Sequence, residues 1–314
     1  MSMEIGIIGI GGVGGYFGGK LCKAVTTPDT NVYFVARGKH LAEIRQIGLT
    51  VSTAAEGEWV CHPTVATDCI EELPMLDVCL VCVKSYDLKL VIQQLQHKVS
   101  GTTAIVPLLN GIDIYERIRE DLVTAQVFPA CAFISTHIAA PGRVEKQGGA
   151  CKILLGKDSQ AATVVPHQLL ALFEKSGIQH EWVDDVMVAL WTKYIFIAAF
   201  GLVTASFDKT LGEVMGSEVL SDNVLAVMSE IAELSEKQGV VLPEGIIKAS
   251  FAKGCEFPYK TKTSFQRDVD LSDKPDERDL FGGTILRLGR QLGVATPKTF
   301  ELCERLNLRK PLHI

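Results

Sequence analysis

The sequence predicts an α/β protein: a doubly wound parallel sheet over residues 1–183, followed by an all-helical domain over 184–314. Three observations predict it. Short apolar runs alternate with helix-patterned segments through the first half, as a parallel sheet with crossover helices requires. A glycine-rich turn, Gly9-Ile10-Gly11-Gly12-Val13-Gly14, joins the first apolar run to the first helix pattern. From about Pro166 the pattern turns mostly helical, and the change near Asp184 marks the domain boundary.

The first strand ends at the glycine turn, and each glycine there has a physical task. Gly9 permits the tight turn, Gly11 lets the backbone approach phosphates, and Gly14 lets the helix close on the strand. The backbone of Gly9 through Gly14, with Ile10, Gly12 and Val13 between, offers N–H groups and a helix N-terminus to a pyrophosphate. A plain βα turn can carry the same glycines. Placement after an apolar strand and before an amphipathic helix favours a Rossmann-type dinucleotide site. Residues 31–37, rich in Val and aromatics, read as the second parallel strand. An NAD-binding strand here usually ends in Asp or Glu, which accepts bonds from the ribose 2′-hydroxyl. This one ends in Arg37-Gly38-Lys39. A guanidinium suits a 2′-phosphate and a carboxylate would repel one, so the cofactor expected is NADP(H), read by Arg37 with help from Lys39.

The remaining elements follow in order. A helix pattern spans 40–48, and strands are expected at 49–52 and 59–64. The near-continuous apolar run 76–83, bounded by Pro74 and Lys84, reads as a central parallel strand. It contains a C-x-x-C, Cys79 and Cys82, but redox or metal chemistry needs that motif on an accessible turn, so both are core cysteines. A helix at 88–97 and a strand at 103–108 lead to Asn110-Gly111; strands at 127–136 and 142–156 complete the first half. Helices are expected at 167–176, 185–207, 217–238, 243–253 and 276–292, with a short one before the C-terminus.

Composition narrows the function. The 314 residues are 47% hydrophobic and 22% charged, with a net charge of −6, ordinary for a soluble α/β chain. The acidic balance and the lack of a basic tract argue against a nucleic-acid partner. The N-terminus has no basic region or cleavage pattern of a signal peptide; its apolar residues are consumed by the first strand. Nine scattered cysteines fit a reducing cytosol, so the expected location is cytoplasmic. The seven histidines have no ligand spacing, and no metal is expected. Nothing dictates oligomeric state, although a homodimer formed through the helical domain is compatible with the pattern.

Residues 188–205, VALWTKYIFIAAFGLVTA, are the most apolar stretch, nearly the length of a membrane span. Lys193 within it, its mid-chain position and its soluble surroundings read instead as the core helix of the second domain, with no membrane partner. Burying an ammonium is costly, so a lysine held there has a charged partner, a catalytic task, or a stem long enough to reach water. As a general acid it would give a proton to a carbonyl oxygen.

Taken together, these motifs resemble the ketopantoate reductases over nearly the whole length. The pieces are the glycine turn, Arg37 ending strand two, V-K-S-Y-D with Lys84, L-L-N-G with Asn110, L-W-T-K with Lys193, and T-S-F-Q-R-D with Ser264. The resemblance implies NADPH-dependent reduction of a small-molecule 2-oxo acid, foremost 2-dehydropantoate to pantoate in pantothenate biosynthesis. It implies that Lys193 is the proton donor, that Asn110 lies between nicotinamide and substrate, that Lys84 binds cofactor, and that Ser264 holds the substrate carboxylate. A late acidic residue, matched to Asp276, is implied to orient the lysine. Asparagines expected four and eight residues after the lysine are Ile197 and Gly201 here. The late E-x-D-x-x-N-G pattern, read from Asp276, has Phe281 for its asparagine. Ile197 thus stands at a substrate-binding position, and the pocket should be more apolar there. Reduction of another 2-oxo acid or an imine, or NADPH sensing without turnover, are the alternatives.

Overall fold

The computed structural model describes residues 2–25, 29–159, 165–271 and 274–311. They fall into two units, Met1–Val186 and Met187–Ile314; the sequence reading drew the line a little earlier, near Asp184. Unit 1 begins β1 (Met3–Ile8), α1 (Gly12–Ala24), β2 (Thr30–Val35), α2 (Gly38–Ile47), β3 (Leu49–Thr53), β4 (Gly57–Cys61) and β5 (Val65–Thr67). It continues with β6 (Val78–Val81), α3 (Ser85–Leu95), β7 (Ala104–Pro107), α4 (Ile114–Asp121) and β8 (Gln126–Val127). β9 (Ala130–Phe133), β10 (Thr136–Ala140), β11 (Arg143–Lys146), β12 (Lys152–Leu155), α5 (His167–Lys175) and β13 (His180–Trp182) complete it.

Six of these strands form a parallel sheet in the order β5-β2-β1-β6-β7-β8. Ile7 pairs with Phe34 on one side and Leu80 on the other, all three fully buried, which is why these strands read as apolar runs. The order reverses between β1 and β6. In such sheets ligands bind outside the carboxyl ends of the strands at that reversal.

The expected doubly wound sheet is therefore present, with two smaller sheets beside it, β10-β11-β3-β4 and β13-β12-β9. The expected strand 127–136 is broken into three around Pro129 and Ser135, and 142–156 into two around Gly148-Gly149. The physical reason for a second sheet lies in α1. A Cβ on Gly18 would sit 3.1 Å from the Phe34 ring, and one on Gly19 would sit 2.6 Å from Val51 Cγ2. Gly15 approaches Val144 as closely. Neighbouring faces of one glycine-rich helix thus press against two different sheets.

Unit 2 is α6 (Met187–Phe207), α7 (Leu211–Met215), α8 (Glu218–Lys237), α9 (Ile246–Ala252), α10 (Ser264–Asp270), α11 (Thr284–Leu292) and α12 (Pro297–Arg309). By length and composition α6 could cross a membrane. Here α7, α8, α9, α10 and α12 pack around it, and most of it is buried. Helix starts follow the local chemistry: Thr210 and Glu213 form a capping box, and Ser217 and Thr263 cap α8 and α10. Buried Glu230 accepts from the backbone N–H groups of Lys298 (2.7 Å) and Thr299 (3.0 Å), securing the start of α12. The expected helix 276–292 begins instead as a π turn, Asp279–Gly283, in which the Thr284 N–H bonds to the Asp279 carbonyl five residues back.

Candidate active site

Gly9 follows β1 with φ +97°, a conformation that favours glycine. Its N–H and that of Ile10 both donate to the Val35 carbonyl, at 3.0 and 3.1 Å, which ties the turn to the end of β2. Ile10 is buried as the anchor of that tie. A Cβ on Gly14 would lie 2.1 Å from the Gly9 carbonyl oxygen and 2.9 Å from Cys82 Cβ, so α1 can approach only with glycine there. Gly11 differs: a Cβ on it would meet nothing within 4 Å and would stand in the space before α1. No side chain caps that N-terminus, so its first-turn N–H groups are available to a phosphate. The residues present fit a dinucleotide pyrophosphate. Gly12 lies against Thr136, whose hydroxyl is buried and, among the described residues, has no hydrogen-bond partner. The sequence reading missed this hydroxyl because nothing local marks it. Val13 is partly buried in the first turn of α1.

Arg37 lies two residues beyond the end of β2 and immediately before α2, with its side chain 62% exposed. Its Nη1 donates to Asp87 Oδ2 at 3.2 Å. An exposed pair of this kind is worth little, so the guanidinium can exchange it for a phosphate at small cost. Gly38 (φ +56°) and exposed Lys39 begin α2, so a second helix N-terminus lies at the same strand end. Lys84 follows β6 as the residue before α3, and Asn110 follows β7, each partly buried. The glycine turn, Arg37, Lys84 and Asn110 therefore stand at the carboxyl ends of four strands adjacent in the sheet, β2-β1-β6-β7. Cys79 is fully buried in β6, and burial pushes its thiol up to about 12. Burial also raises Cys82, which lies beneath Gly14. Both thiols stay protonated.

In unit 2, Lys193 is partly buried on α6, with Ile197 and Gly201 one and two turns along the same face. Next to it, the buried Tyr194 hydroxyl donates to the carbonyls of Leu280 (2.7 Å) and Phe281 (3.1 Å), holding the π turn against α6. Ser264 is the exposed first residue of α10. Thr204 Oγ1 and Thr263 Oγ1 lie 2.9 Å apart, which fixes the start of α10 on α6.

Asp276 lies in a buried ion pair. Its side chain is 2% exposed, and Arg278 grips it with Nε at 2.9 Å and Nη2 at 2.8 Å. Lys310 Nζ stands 3.3 Å from the same carboxylate. Burial works to raise its pKa, but the Arg278 hydrogen bonds and charge, with Lys310 behind, hold it below the ordinary carboxylate range. Asp276 is thus an anchor of the fold, held by a guanidinium and an ammonium. The neighbouring Glu277 is also buried, at 5% exposure. Read from Glu277, the sequence Glu277-Arg278-Asp279 gives the E-x-D spacing directly. That signal was visible in the sequence, one residue along.

The N-terminal part, residues 5–160, matches the family model described as ketopantoate reductase PanE/ApbA, and residues 185–310 match its C-terminal counterpart. A 2-dehydropantoate 2-reductase from Mesorhizobium japonicum is 26% identical over 323 residues, covering 94% of each chain. An uncharacterised oxidoreductase of Bacillus subtilis is also 26% identical, over 94% of this chain and 95% of its own. The crystal structure of a PanE/ApbA family ketopantoate reductase from Ralstonia eutropha superposes with a TM-score of 0.86 at 27% identity, covering 98% of both chains. With a dinucleotide turn, a strand-end arginine and a helical unit built around Lys193, this NADP(H)-dependent oxidoreductase belongs to the ketopantoate reductase family.

Proposed function

We propose that the protein reduces a 2-oxo acid to the corresponding 2-hydroxy acid, with 2-dehydropantoate to pantoate, a step of pantothenate biosynthesis, as the reference reaction. The observation that carries this is the gathering of the glycine turn, Arg37, Lys84 and Asn110 at four neighbouring strand ends, in a chain whose helical unit centres on a lysine-bearing apolar helix. NADPH, when bound, supplies a hydride to C2 of the substrate.

The chain's own residues do the rest. The α1 N-terminus holds the pyrophosphate, Arg37 and the start of α2 hold the 2′-phosphate, and Lys84 adds positive charge. Asn110 orients the reacting carbonyl with its amide. Lys193 donates a proton to the C2 oxygen as negative charge develops there. Ser264 donates its hydroxyl proton to a substrate carboxylate oxygen. Glu277, with Asp276 already held by Arg278, orients the lysine. A cytoplasmic setting suits both NADPH and free thiols.

Loss of NADPH absorbance in the presence of 2-oxo acids tests the reading. Lys193→Met is expected to lower kcat by roughly 10²–10⁴ while NADPH still binds. Tight NADPH binding with no oxidation by any 2-oxo acid would mark a sensor instead.

A further inference from the structure

From Lys193 the face of α6 runs through Ile197 to Gly201, where aromatic rings pack on it. Ile197 is one turn from the lysine and partly exposed. Two turns on, at Gly201, a Cβ would stand 3.5 Å from the Phe265 ring, so that ring covers the glycine. Phe265 packs in turn on Phe281, with ring centroids 4.8 Å apart, and both rings are 1% exposed. Neither ring is free to swing away. Phe265 follows Ser264 on the helix start fixed by the Thr204–Thr263 contact, and Phe281 lies in the π turn held by Tyr194. The segment cannot supply an amide from the next position either, because a Cβ on Gly282 would lie 2.3 Å from Cys303 Sγ.

We infer that the substrate of this enzyme is a short, branched 2-oxo acid whose side chain ends in a methyl group, not in the hydroxyl that 2-dehydropantoate carries. The inference rests on the reading of Lys193 as proton donor to a 2-oxo acid. A hydroxyl brought against Ile197 would leave water to face an aliphatic side chain. A methyl group in the same place gains contact and loses nothing. The tilted pair of rings already fills the far end of the wall, so a compact aliphatic branch fits better than a third aromatic ring.

The matched probes are 2-dehydropantoate and 3,3-dimethyl-2-oxobutanoate, which have the same carbon branching and differ by one hydroxyl oxygen. With NADPH, kcat/KM is expected to favour the hydroxyl-free acid by about tenfold or more, equivalent to about 1.4 kcal/mol. Equal values, or a preference for 2-dehydropantoate, would overturn the inference and leave the reductase reading standing. Failure to reduce either acid would remove the reductase reading and the inference with it. Ile197→Asn, at a partly exposed position that the fold tolerates more readily than the buried rings, is expected to move the ratio toward 2-dehydropantoate by about tenfold. An unmoved ratio in that variant would show that this wall does not contact the substrate side chain.

Discussion

At the scale of single residues, charge placement decides cofactor and stability separately. Arg37 is exposed, and binding a phosphate would cost it a weak pair with Asp87. Arg37→Ala is expected to weaken NADPH by roughly 10–100-fold, the worth of charge-assisted hydrogen bonds, and to leave NADH nearly unchanged. Titrations with both cofactors would check it, and equal losses would show that Arg37 does not read the 2′-phosphate. Asp276 is the opposite case, a buried carboxylate gripped by Arg278. Asp276→Ala leaves a guanidinium without its counter-charge and is expected to cost roughly 3–5 kcal/mol at neutral pH. Because the folded pKa is depressed, this contribution is fully present above the unfolded value of about 3.9 and is lost as pH falls through the lower folded value. Urea unfolding of the two proteins should therefore converge below about pH 4. A constant difference across that range would contradict the ion-pair account.

Among the elements, those governed by local rules were legible in the sequence. The first strand, its glycine turn and α1 could be read because turn chemistry and apolar patterning act over few residues. The same holds for β6, and for α6 with its single lysine. What escaped were features set by distant partners. The strand breaks around Pro129 and Gly148-Gly149 follow from a second sheet, and that sheet is implied only once the glycines of α1 are seen to have two neighbours. The late acidic pattern is ambiguous by one residue because 276–292 looks like a continuous helix, whereas a π turn lies within it. The tight seam of α1 is itself testable. Gly14→Ala places a methyl group against the Gly9 carbonyl oxygen, so the turn must shift. We expect a loss of about 1–3 kcal/mol in stability, together with weakened NADPH binding by fluorescence titration. Unchanged affinity would mean that the turn does not set the cofactor's position.

For the molecule as a whole, the two units close separate apolar cores, one on the parallel sheet and one around α6. NADPH at about 100 times its Kd adds about 2.7 kcal/mol to whatever holds it. Calorimetry of the full chain is expected to resolve one melting component that rises with NADPH and a second that does not. A single transition moving as one body would refute independent melting. The π turn at Asp279–Gly283 limits the chain in a further way, through residue count. It takes one residue more than an α turn would in the same place. Deleting Gly283 would let the stretch rewind as ordinary helix, with the Leu280 carbonyl taken by a backbone N–H four residues on. The Tyr194 hydroxyl, which now donates to that carbonyl and to the Phe281 carbonyl, would lose an acceptor there. A single deletion here should therefore loosen the segment from α6 while leaving every residue of α6 in place.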